Sequence, residues 1–187
     1  MRLVPLILLG LLVAACNQGP EVDLKNVTPA EVAKAMNESG ATRAMIEPGQ
    51  WSSTVQVLEM DTSSLPPEMA ATIRAETGKP RTVEACLTAD QVDHPERMLG
   101  QVPPGCRYDH YRMGGGKIDG KMRCPTPIGD QTMAIAGTYG KDRYSLTIDN
   151  RGPKAPDAAP GKPVASVMNS KMKLDARRLG DCAAAPK

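Results

Sequence analysis

Residues 106–124 read CRYDHYRMGGGKIDGKMRC, and residues 133–148 read MAIAGTYGKDRYSLTI. In both stretches, runs of β-forming side chains flank a glycine turn, the signature of an antiparallel hairpin. Centring the first on Gly115 sets Cys106 opposite Cys124, Tyr108 opposite Met122 and Asp109 opposite Lys121. A two-residue turn at Gly140-Lys141, with glycine first, is a favoured connection for the second. It sets Met133 opposite Ile148, Ile135 opposite Leu146 and Gly137 opposite Tyr144. This register gathers the apolar residues on one face, and a slip of one residue would move them all to the other. The fold therefore rests on an antiparallel sheet with one apolar side.

Upstream, Glu47-Pro48-Gly49 makes a turn, residues 50–60 read as a strand, and Pro66-Pro67 opens a helix that Gly78 closes. Residues 81–87 form a second short strand, and Thr88 caps a helical turn after it. Further back, Thr28-Pro29-Ala30-Glu31 is a capping box with proline at the first helical position, and Val27 and Val32 are spaced as a hydrophobic staple. That helix runs to about residue 37 and stops at Gly40; its few apolar positions, Val32, Ala35 and Met36, place it on the surface. Residues 17–26 read as a tether. Downstream, the proline-rich stretch 151–163 is loop, and Val164, Met168, Met172 and Leu174 keep a period of two for a last strand. The expected fold class is α+β: an antiparallel sheet of about seven strands, open or curled into a partial barrel, with two or three short helices and two disulfides.

Phenylalanine is absent and methionine numbers 11. The apolar face is accordingly Met-rich, comprising Met122, Met133, Ile135, Leu146, Ile148, Met168 and Met172. Helices covering it would make it core. Left open, it is a candidate apolar groove, since thioether side chains remould around irregular ligands.

The first residues give an address. One positive charge, Arg2, precedes the apolar run 3–13, and Ala14-Ala15-Cys16 follows. This is the layout of a secretory signal, too short to span a bilayer. Val13-Ala14-Ala15-Cys16 resembles the bacterial lipobox, which implies a diacylglycerol on Cys16 and cleavage after Ala15. Each buried methylene adds about 0.8 kcal/mol, so two or three acyl chains anchor a domain firmly. Asn17 is not the aspartate that retains enteric lipoproteins in the inner membrane, which favours the outer membrane. The expected organisation is a signal peptide at 1–15, a lipidated tether with the capped helix at 16–46, one β-rich domain at 47–182 and a tail at 183–187.

The whole chain carries a net charge of +2, and Arg2 departs with the signal. So small an excess argues against nucleic acid as a partner. Beyond Cys16 there remain Cys86, Cys106, Cys124 and Cys182; an even number in an exported chain suggests two disulfides, with three connectivities open. The register of the first hairpin pairs Cys106 with Cys124 and so leaves Cys86 for Cys182.

Catalytic equipment is sparse. His94 and His110 are the two histidines, each preceded by an aspartate, Asp93 and Asp109. Successive strand residues point to opposite faces, so Asp109 and His110 are not expected to share a site. No serine stands in a Gly-x-Ser-x-Gly elbow, no cysteines form a C-x-x-C metal pair, and GGGK at 114–117 lacks the helix and hydroxyl of a phosphate loop. No catalytic residue, cofactor or metal ligand is assigned. The hairpin register faces Arg107 with Arg123, a cost unless something lies between them; an acidic neighbour such as Asp119 is the expected remedy, an anionic lipid headgroup the alternative. Arg177-Arg178 reads as a solvated pair.

Pro48-Gly49-Gln50-Trp51 opens one strand, Cys86-Leu87-Thr88 closes the next, Cys106 and Cys124 flank a glycine turn, and Arg177-Arg178-Leu179-Gly180-Asp181-Cys182 follows the last strand. Together these landmarks make residues 47–182 resemble domain-of-unknown-function family 3617, small exported proteobacterial proteins often carrying a lipid anchor. The resemblance implies no activity. The expected function is a non-enzymatic envelope domain that binds an apolar ligand or an envelope protein, with the membrane as a partner through Cys16. The alternative is a structural or stress-related accessory protein with a closed core.

Overall fold

The computed structural model describes residues 19–63, 65–94, 102–153 and 169–183. Eight strands form one antiparallel sheet: β1 (Val22–Val27), β2 (Gly49–Met60), β3 (Arg81–Leu87), β4 (Arg107–Gly114), β5 (Lys117–Thr126), β6 (Gly129–Gly140), β7 (Arg143–Arg151) and β8 (Ser170–Gly180). Their spatial order is β1-β4-β5-β6-β7-β8-β2-β3, and the sheet is open, with β1 and β3 as its edges. Among the described residues four short helices accompany it: α1 (Pro29–Glu38), α2 (Ala41–Met45), α3 (Pro67–Thr77) and α4 (Ala89–Asp93).

The β4–β5 turn is Gly115-Gly116, with φ of 56° and 75°. Both central residues of this turn type need positive φ, which glycine supplies without a Cβ penalty. This moves the turn half a residue from Gly115, so Gly114 faces Lys117 and Met113 faces Ile118. A β-bulge then absorbs the shift: His110 faces Lys121, and beyond it Tyr108 faces Met122 and Arg107 faces Arg123. Asp109, expected opposite Lys121, is the extra residue of the bulge.

In the second hairpin the turn moves on by one residue, which slips the pairings by two. Lys141-Asp142 makes its turn, with Tyr139 facing Tyr144, Gly137 facing Leu146, Ile135 facing Ile148 and Met133 facing Asn150. A two-residue slip keeps every side chain on its face, so the apolar side is as expected although its pairings are not. Neighbours hold the turn: the Glu47 amide donates to the Lys141 carbonyl at 3.2 Å, and the Arg178 amide to that of Asp142 at 2.8 Å.

The tether expected at 17–26 is corrected by β1. Val22 and Leu24 alternate with Asp23 and Lys25, and the strand pairs with β4, Val22 facing Met113 and Leu24 facing Tyr111. The surface placement of α1 is corrected too. Its N-terminus carries the Thr28–Glu31 capping box, but Val32, Ala33 and Met36 are buried. With α2, unforeseen in the sequence, α1 covers the sheet around β4 and β5. The core there comprises Val22, Val32, Met36, Ala41, Tyr108, Tyr111, Met113, Ile118, Met122 and Leu146. Thr88 caps α4 through a second box with Gln91.

Two disulfides cross-link the sheet. Cys106–Cys124 joins β5 to the residue before β4, with Cα atoms 4.1 Å apart, and Cys86–Cys182 joins β3 to the residues after β8, at 5.4 Å.

Candidate functional site

The apolar face changes character across the sheet. Under α1 and α2 it is core: Met122 and Leu146 are buried, and Met133 and Ile135 pack against the same cluster. Toward β8, β2 and β3 the rows continue. Ile135 faces Ile148, Ile148 faces Met172, and Met172 faces Val57. In the next row Leu146 faces Leu174, and Leu174 faces Val55. Ile148, Met172, Leu174 and Val57 are half-buried, while Val55 is 39% and Val83 63% exposed. Exposure thus rises steadily toward the β3 edge. Trp51 marks the boundary: it is buried, its ring lies 5.7 Å from that of Tyr144, and its indole N–H donates to the Glu47 carbonyl at 2.9 Å.

The Met-rich set therefore divides. Met122, Met133, Ile135 and Leu146 belong to the core, and Ile148 and Met172 to the open half; Met168 and Cys16 lie outside the described residues. Val55, Val57 and Val83, not assigned to the face from the sequence, complete its open half. Their signal is the alternation within β2, which carries the rows two strands further than the hairpins alone indicate. Described residues line cavities of about 540, 460 and 230 Å3, and all three lie elsewhere: beside the β4–β5 turn, between α3 and the end of β2, and around Asp61 and Arg151.

On the opposite, polar face the bulge sets Asp109 beside Arg123, at 2.8 Å. Arg107 instead donates to the side chain and carbonyl of Asn26. The Arg107–Arg123 opposition is thus relieved by an acidic neighbour, as expected, but that neighbour is Asp109, with Asn26 taking Arg107; Asp119 lies 2.7 Å from His110 Nε2. His94 meets Asp90 at 3.5 Å. Among the described residues no three His, Cys, Asp or Glu side chains gather as around a metal ion. The 114–117 glycine stretch is the hairpin turn itself. Arg178 is not a free solvated cation: its Nε donates to the Pro48 carbonyl at 2.8 Å and its guanidinium reaches Asp181.

Burial holds the Tyr111 phenol well above its ordinary pKa of 10.0, and raises Tyr108 for the same reason. Both rings are core, 5.4 Å apart edge to face, and neither reaches the open half. No helix of the described residues is long and apolar enough to cross a membrane.

A family model described as protein of unknown function (DUF3617) matches residues 46–182. No curated protein and no solved structure matches the chain significantly.

Proposed function

This chain belongs to the DUF3617 family, and from that premise we propose that it is a lipid-anchored envelope protein that binds another envelope protein without chemistry of its own. The observation that carries this reading is the open half of the apolar face, rising to 63% exposure at Val83. A small apolar molecule prefers a concave site that buries roughly 70–90% of its surface. An exposed face that runs out to the edge strand of the sheet suits a protein surface better, because exposed apolar patches rimmed by polar residues mark such interfaces.

Cys16 supplies the anchor, and the outer membrane is its favoured location. Cys16→Ala should release the protein from the membrane fraction or leave it unprocessed; acyl-dependent anchoring that persisted in this variant would refute the lipid anchor. The interface is tested by photo-crosslinking in cells, with the reactive side chain at residue 83 or at residue 84, which points to the other face. A discrete protein adduct from 83, absent from 84 and lost on Val55→Lys, is expected. Equal adducts from both positions, or a lipid co-purifying in native mass spectrometry and displaced by Val55→Lys, would overturn the protein-partner reading.

A further inference from the structure

The largest cavity given above, about 540 Å3, lies where the chain enters β1, against the β4–β5 turn. Its lining includes Gly19, Glu21, Val22, Met113, Lys117 and Ile118. Most other charges around it are satisfied: Arg112 is paired with Asp23 at 3.4 Å, and Asp119 with His110 at 2.7 Å. Lys117 and Glu21 have no ion pair among the described residues. One unpaired cation and one unpaired carboxylate thus share a cavity large enough for a polar headgroup. Its position adds a second constraint. Gly19 is three residues from Cys16, at most about 10 Å of extended chain. If Cys16 is acylated, this cavity cannot stand far from the membrane surface. The other end of β5, Thr126, lies roughly 30 Å further along the strand.

We infer that this cavity is a phospholipid headgroup site: Lys117 meets the phosphodiester, Glu21 meets the headgroup ammonium, and the sheet stands with its β4–β5 turn against the membrane. The inference rests on the lipid-anchor reading. In this orientation the strands point away from the bilayer, so the open face of β8, β2 and β3 is presented sideways to a partner in the same envelope layer.

The test uses the full mature chain, purified with its acyl groups and reconstituted in phosphatidylethanolamine-rich vesicles containing headgroup-quencher lipids. A fluorescent side chain replaces either Thr138, directly opposite Lys117, or Asp130, at the far end of β6. Emission from position 138 should be lost and that from 130 retained, and Lys117→Glu should restore emission at 138. Failure to float with the vesicles would overturn the anchor and the orientation together. Flotation with equal quenching at both positions would overturn the orientation alone. Quenching at 138 that is indifferent to Lys117→Glu would overturn the headgroup site while leaving the anchor standing.

Discussion

A Cβ built on Gly137 would sit 2.0 Å from the Ser145 carbonyl oxygen and 2.9 Å from the Leu146 Cα. Both are backbone atoms of the neighbouring strand, so no rotamer change relieves the contact. Gly137→Ala should therefore push β6 from β7 and cost about 1–3 kcal/mol, the range for overpacking; thermal unfolding followed by circular dichroism measures it. An unchanged midpoint would count against the Gly137–Leu146 pairing. Tyr111 makes a different prediction at the same scale. Its hydroxyl donates to the Met36 sulfur at 3.1 Å, and burial raises its pKa. Above about pH 10 the unfolded phenol loses its proton while the folded one keeps it, so the unfolded state binds fewer protons. Stability is thus fully present below about pH 10 and falls as pH rises beyond it. Tyr111→Phe should flatten this alkaline fall at a cost of about 1 kcal/mol in neutral solution, read from melting temperatures on either side of that pH.

The two disulfides constrain elements of different span. Cys86–Cys182 closes a separation of 96 residues and Cys106–Cys124 one of 18. On the loop-entropy estimate they contribute about 4.7 and about 3 kcal/mol before strain. The double change Cys86→Ser, Cys182→Ser should lower the melting temperature more than Cys106→Ser, Cys124→Ser; the reverse order would mean that local packing around buried Cys106 outweighs chain entropy. Both pairs agree with the hairpin reading because a strand's face survives errors that its register does not. The bulge at Asp109 restored the pairing near Cys106, and the two-residue slip in the second hairpin preserved its parity. What stayed illegible was what lies outside the chain's local pattern. Nothing in GTYGKDR marks Lys141-Asp142 as the turn, because its carbonyls are held by Glu47 and Arg178 from distant elements. The alternation of β1 is six residues long and reads equally as linker. α1 looked superficial because three apolar positions suffice when a sheet waits beneath them. The open site was legible only in part: the hairpins disclosed Ile148, but its extension through Val55 and Val83 depends on β8 pairing with β2.

At the scale of the molecule, the family match begins at residue 46, one residue after α2 ends. What precedes it is a cover: β1, α1 and α2 bring Val22, Val32, Ala33, Met36 and Ala41, all buried, onto the β4–β5 side of the face. Among the described residues the helix that touches this side is α3, against β2, and Val55 and Val83 stay exposed beside it, so one half of a single apolar surface is core and the other open. Removing the cover should therefore convert the first half into the second. Full burial of a Val or Met side chain contributes about 1.5–3 kcal/mol, so losing three of them and two alanines removes several kcal/mol from a domain whose whole stability is about 5–15 kcal/mol. A fragment spanning 46–182, with both disulfides formed, should retain strand signal in the far ultraviolet but bind a hydrophobic dye and melt without a sharp transition. The intact mature domain should melt cooperatively and bind the dye only weakly, at the open face, a residue of binding that Val55→Lys with Val83→Lys lowers without changing the melting temperature. Cooperative melting of the fragment at the same temperature as the intact chain would show that β1 and the two helices are ornament on a core that closes without them.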